Sequence, residues 1–213
     1  KAAGFMPIFI PTLIASYYSV IGGWSVQFFL ESTAGQLVNN SPEVVEGIFG
    51  NFISGTWAPV FMHLLFLLVT AIVVASGVKT GIEKFSKIAL PVLFLLIVVM
   101  VCYSVGLPGA SAGVRYLSVP DFSQMTPRTL SYAMGQSFFS LSLGMGSIIT
   151  YGSYVSKSEN IVVSSVGTAV SDLAFAMLAA FAIMPAVFAA GIEPGAGPGL
   201  IFQSVPFIFN KSL

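Results

Sequence analysis

The sequence predicts an all-α integral membrane protein with five transmembrane helices, and three observations carry that reading. The chain is 56% hydrophobic and only 8% charged, whereas soluble domains carry about 25% charged residues. So little charge cannot cover the surface of a soluble fold of 213 residues. Uncharged runs recur along the chain, each near the length of about 20 residues that crosses a hydrocarbon core. The stretch from Ser137 to Gly152, "SFFSLSLGMGSIITYG", is one of these, yet it places serines and glycines where a helix that only spans would carry leucine. That segment is therefore expected to be broken at mid-membrane.

The first span, about residues 5–30, is uncharged, longer than the apolar region of a signal peptide, and lacks a small-residue cleavage site. After it, "NNSPEVVEGIFG" reads as a short surface helix with Ser41 as cap and Pro42 at its first position. The second span covers about 57–78. "SGVKTGIEKFSKIALP" follows as a tight turn and amphipathic helix whose lysines can meet lipid phosphates. The third span, about 88–106, leads into the loop "GLPGASAGVRYLSVPDFSQMTPRT", whose Thr126-Pro127 pair is a good cap for the fourth. The fourth and fifth spans are about 129–155 and 161–190, the fifth carrying one charge, Asp172. The tail "GIEPGAGPGLIFQSVPFIFN" has too short an apolar run to cross and reads as an outside hairpin, about 192–210.

Alternating sides gives one face Lys1, Lys79, Lys84, Lys87 and Lys157, and the other Arg115, Arg128 and Lys211. The positive-inside rule makes the first face cytoplasmic, so the N-terminal end is expected inside and the C-terminal end outside a cell (inner) membrane. Cys102 has no partner for an internal disulfide, and a net charge of +0 gives no support to a nucleic-acid partner. The chain opens on lysine and ends in a loop, and a partial chain explains both.

A helix broken in lipid leaves amide and carbonyl groups unpaired, at several kcal/mol each, unless something polar takes them. Gly144 and Gly146 ease departure from helical geometry, and Ser140 and Ser142 add hydroxyls at the same depth. Freed carbonyls and hydroxyls are hard oxygen ligands suited to an alkali cation or an ammonium group. The competing reading is close packing of two helices through small residues. An ionised Asp172 inside a span costs at least ~2.5 kcal/mol, so it is expected to face a cavity or cation, or to share a hydrogen bond with a serine of a neighbouring helix. Ser164, Ser165, Thr168 and Ser171 make its face wet. Tyr18 and Gln136 are too deep to be interfacial and need partners, while His63 reads as a satisfied packing histidine.

"FFSLSLGMGSIITYGSY" resembles the sixth transmembrane segment of the neurotransmitter:sodium symporters, specifically their bacterial sodium-coupled amino-acid transporters. "YYSVIGGW" is similar to that family's third segment, "GIEKFSKIALP" to the turn between its fourth and fifth, and "VPDF" to the loop before its sixth. "IMPAVFAAG" and "GLIFQSVPFIF" resemble the end of the seventh and the hairpin beyond. The resemblance covers essentially the whole chain. It implies a fragment of an inverted-repeat secondary transporter, running from the third to the seventh segment plus the following outside hairpin, without the first, second and eighth-to-twelfth.

The same resemblance implies sodium-coupled symport of an amino acid by alternating access, with the first and sixth segments unwound around substrate and sodium. Position by position, Phe139 resembles the aromatic lid over the substrate, Ser140 a hydroxyl of the first sodium site, and Ser142 the residue facing the substrate's amino group. Leu141 lies between them; Met145 and Ile14 line the side-chain pocket, Tyr18 holds the substrate carboxylate, and Tyr154 belongs to the cytoplasmic gate. In the seventh segment, counting back from Pro185 puts Ser171 or Asp172 near a sodium-binding asparagine, and the position one turn later, acidic in some members, is Phe175. Asp172 fits either the sodium position or that acid. The implied partners are sodium, an amino acid and the lipid bilayer, and no enzymatic activity is implied. Two other classes remain open on the residues alone. A membrane-embedded hydrolase would need a base, and His63 is the one histidine, with no G-x-S-x-G stretch. A passive channel or scaffold subunit would give flux without saturation.

Overall fold

A computed structural model describes residues 2–37, 42–195 and 200–202. Eight α-helices appear among the described residues: α1 (Ala2–Thr33), α2 (Pro42–Ser54), α3 (Trp57–Ala75), α4 (Lys84–Val105), α5 (Ala110–Ser118), α6 (Pro127–Ser140), α7 (Ser147–Tyr154) and α8 (Ile161–Ala190). A π-helical turn, Val78–Glu83, runs into α4, and a 3₁₀ turn, Phe122–Gln124, precedes α6. Four stretches are long and apolar enough to cross a membrane: Pro7–Thr33, Trp57–Ala75, Val78–Val105 and Ile161–Ala190. The segment between the last two is split into α6 and α7, each too short to cross alone. Among the described residues the regular structure is all helical, with the fourth apolar segment broken in the middle.

The chain falls into two compact units, Lys1–Tyr17 with Pro120–Met177, and Tyr18–Val119 with Leu178–Leu213. In the second unit, Phe28, Leu37, Val45, Phe49 and Phe202 form a buried cluster with Ile21, Trp24 and Ile48 packed on it. The rings of Phe49 and Phe202 stack at 5.3 Å, and Trp24 meets Phe49 edge-on at 5.4 Å. This cluster seats α2 against the C-terminal half of α1. Ser41, the expected cap of α2, lies outside the described residues, as does most of the expected hairpin at 192–210.

The seam between α1 and α3 depends on two glycines. A Cβ on Gly22 would lie 2.6 Å from the Phe66 ring, and one on Gly23 would lie 2.7 Å from the His63 backbone nitrogen. His63 is thus a packing residue, but the expectation that it is satisfied is corrected. Its Nδ1 is buried and meets no hydrogen-bond partner among the described residues. The approach that Gly23 permits is to the backbone of His63 and Met62.

Two connections differ from the sequence reading for local reasons. The 77–83 stretch is a wide helical turn, not a turn followed by a separate helix. Gly77, at φ 88°, lets its carbonyl accept from both Gly81 (2.9 Å) and Ile82 (3.1 Å), and Gly81 abuts the Val73 carbonyl, leaving no room for a side chain. Glu83 and Lys87 form an exposed ion pair at 2.7 Å. The loop after α4 contains α5, whose Gly113 sits directly on α8: a Cβ there would lie 2.6 Å from the Met184 oxygen and the Pro185 Cα. Leu107, Ala110 and Ala186 bury together at that junction.

In the first unit, α6 starts from a capping box. The Thr126 hydroxyl accepts from the Thr129 N–H at 3.1 Å, and the Thr129 hydroxyl accepts from the Thr126 N–H at 3.3 Å, with Pro127 at the first helical position. Thr126→Ala is expected to cost about 1 kcal/mol, read as a lower melting temperature of the purified protein. An unchanged melting temperature would show that neighbouring contacts, not the box, fix the start of α6.

Candidate functional site

The site forms where α6 stops. Ser142 has φ 55°, the one positive φ outside glycine among the described residues, and Gly144 and Gly146 follow at 77° and 79°. The Ser142 N–H donates to the Phe139 carbonyl at 3.0 Å, and the Leu143 N–H reaches back to the Phe138 carbonyl at 2.8 Å. This pair of bonds is a Schellman closure, which usually places glycine where Ser142 stands. A serine held there costs roughly 1–2 kcal/mol, and backbone strain of this kind concentrates where a site needs it. Among the described residues, no hydrogen bond reaches the backbone carbonyls from Ser140 to Met145. α7 then begins at Ser147, and its N-cap residue, Gly146, gives no side-chain cap.

The first turns of α1 abut the break. Gly146 lies so close to Pro7 that an added Cβ would sit 3.0 Å from the Pro7 Cα and 3.1 Å from its carbonyl oxygen. Pro11, one turn later in the same helix, has no N–H to give that carbonyl. Sequence reasoning missed this contact, although the "PIFIP" spacing in the first span was its visible signal.

Opposite the break, the Ser140 hydroxyl hydrogen-bonds the Asp172 carboxylate, 2.8 Å from Oδ1 and 2.6 Å from Oδ2. The two residues are 32 positions apart in sequence. Asp172 is half-buried on α8, one turn beyond Thr168 and two beyond Ser164. A cavity of about 1010 Å³ lies along this face, lined among others by Ser142, Tyr154, Ser164, Thr168 and Asp172. Its lining residues carry a carboxylate and hydroxyls, and include Ser140 to Leu143, whose carbonyls accept no hydrogen bond among the described residues; hard oxygens of this kind suit an alkali or ammonium cation. Among the described residues there is no cluster of three or more His, Cys, Asp or Glu side chains that could hold a metal ion.

Of the residues singled out in the sequence, Ser140, Leu141, Ser142, Tyr154 and Asp172 line this one cavity. Phe139 lies in the last turn of α6, and Met145 lies within the break. Ile14 is half-buried in the first unit, and Tyr18, half exposed, is the first residue of the second.

Apolar spans joined to a pair of half-helices, with free backbone oxygen at the gap, are the architecture of a secondary transporter. Comparison with known proteins makes the class specific. A sequence model of the Sodium:neurotransmitter symporter family matches residues 54–202. An uncharacterized sodium-dependent transporter of Haemophilus influenzae is 39% identical over 99% of the chain. The uncharacterized sodium-dependent transporter YhdH of Bacillus subtilis is 38% identical over 93% of it. The crystal structure of MhsT in complex with L-phenylalanine superposes with a TM-score of 0.90 at 43% identity, over 99% of this chain and 48% of MhsT. The chain spans about half the length of the relatives it matches, 47% and 44% of the two named. It belongs to the Sodium:neurotransmitter symporter family.

Proposed function

We propose that the transporter containing this chain carries out sodium-coupled symport of an amino acid across the cell (inner) membrane by alternating access. The observation that carries the reading is the α6–α7 gap, whose carbonyls accept no hydrogen bond among the described residues and whose Ser140 hydroxyl meets the Asp172 carboxylate beside one cavity. An amino acid brings one positive and one negative charge, and sodium offsets the second. The backbone oxygens and Ser142 accept from the ammonium, Tyr18 donates to the carboxylate, and Ser140 with Asp172 holds sodium. Ile14, Phe139, Leu141 and Met145 line the side-chain pocket, and Phe139 and Tyr154 act as the two gates. Coupling follows because neither charge enters a low-dielectric site cheaply without the other. MhsT was crystallised with L-phenylalanine, and the apolar residues around the break support an apolar amino acid here.

The test is uptake of a labelled amino-acid panel by the full-length protein in proteoliposomes. Saturable accumulation of apolar amino acids driven by an inward sodium gradient is expected. Sodium-independent hydrolysis would favour a membrane hydrolase, and unsaturable flux a channel.

Orientation is tested separately. With the N-terminal end cytoplasmic, a cysteine replacing Lys84 is expected to stay unlabelled by an impermeant thiol reagent in intact cells and to react after permeabilisation. Labelling from outside would reverse the proposed topology.

A further inference from the structure

We propose that Arg115 and the cavity beside it form a binding site for the phosphate of an anionic phospholipid, at the membrane face where α4 ends. α4 stops at Val105, and α5 begins only five residues later, at Ala110, so α5 lies at the level of the lipid headgroups. One side of α5 is committed to protein. Ala110 is 1% exposed, Gly113 touches the backbone of Met184 and Pro185, and the Tyr116 ring meets Phe188 at 5.3 Å. The other side, with Ser111, Val114 and Arg115, lines an open cavity of about 480 Å³ together with Val105, Leu107 and Val119.

The guanidinium in that cavity has no carboxylate within ion-pair distance among the described residues. A planar guanidinium binds phosphate through paired, charge-assisted hydrogen bonds, and Ser111 adds a hydroxyl on the same wall. The remaining lining is apolar, which suits a glycerol backbone and the first carbons of acyl chains better than a soluble anion. Tyr103, 48% exposed, and Tyr116, 60% exposed, add the amphipathic rings that favour headgroup depth. Charge complementarity, depth and the apolar wall thus select an anionic lipid over water-borne phosphate. The site lies apart from the α6–α7 gap in sequence and does not rest on the proposed transport reaction.

The full-length transporter, purified in mild detergent, would be titrated with phosphatidylglycerol or phosphatidylcholine and the bound lipid counted by native mass spectrometry. Phosphatidylglycerol is expected to be retained preferentially. Arg115→Gln should weaken that retention about fivefold, the factor expected of one basic residue near an anionic surface, while Arg115→Lys keeps part of it. Ser111→Trp, which fills the cavity and leaves the charge, should weaken it as well. Melting temperature measured for each variant confirms folding. Equal retention by wild type and Arg115→Gln, no preference over phosphatidylcholine, or displacement of the lipid by inorganic phosphate would each overturn the proposal.

Discussion

Asp172→Asn in the full-length transporter is expected to raise the half-saturating sodium concentration about thirtyfold while leaving the ranking of amino-acid substrates unchanged. Asparagine keeps the shape and one acceptor oxygen for the Ser140 hydroxyl, which now sits 2.6 Å from Oδ2. What it removes is the charge. A carboxylate ~4 Å from a cation is worth about 4 kcal/mol at an effective dielectric of 20, and losing half of that gives the thirtyfold shift. Ser140→Ala removes a neutral oxygen instead, at roughly 1–3 kcal/mol, so its effect on sodium should be about 5- to 150-fold and should not simply add to the first. Sodium-dependent uptake at varied sodium concentration measures both. If half-saturation stays put in Asp172→Asn while substrate ranking changes, the carboxylate belongs to the substrate pocket and its assignment to the ion is wrong.

The break in the fourth span was legible because its signal is chemical. "SLSLGMG" puts residues that tolerate or stabilise non-helical backbone into an apolar run, and no packing explanation needs so many together. The sequence placed the break at mid-membrane, and the observed gap between α6 and α7 covers Leu141–Gly146, with Gly146 in a left-handed conformation. Asp172 was also legible as an unusual residue expected to meet a cation or a serine of a neighbouring helix, and the structure gives it Ser140 of α6. Which serine it meets is not a local property, because a 32-residue separation is set by how α6 and α8 pack. α5 was missed because "GASAGVRYLS" is rich in glycine and serine, the composition of a loop. Its glycine serves close seating on Pro185, a tertiary reason that local propensity does not carry. The unsatisfied Nδ1 of His63 is of the same kind, since whether a polar atom reaches one ring nitrogen is decided by tertiary packing.

Substitutions at the three left-handed positions should separate strain from contact. Gly144 and Gly146 have nearly the same φ, 77° and 79°, but a Cβ on Gly144 meets nothing within 4 Å while one on Gly146 runs into Pro7. Gly144→Ala therefore pays only the conformational cost, about 1–2 kcal/mol. Gly146→Ala pays that cost plus overpacking of typically ~1–3 kcal/mol, because the obstacle is the ring and backbone of a proline inside α1 and cannot rotate away. The expected result is a melting temperature lowered clearly more by Gly146→Ala than by Gly144→Ala, with uptake lost in the first and reduced in the second. Ser142→Gly runs the other way: removing a side chain from φ 55° relieves roughly 1 kcal/mol, so the protein should become more stable. Its uptake should nevertheless fall, because the hydroxyl proposed to face the substrate's ammonium is gone. Equal destabilisation by the two alanines would mean that α1 does not press on the break. A Ser142→Gly variant that is both more stable and fully active would mean that the serine is neither a ligand nor a functional source of strain.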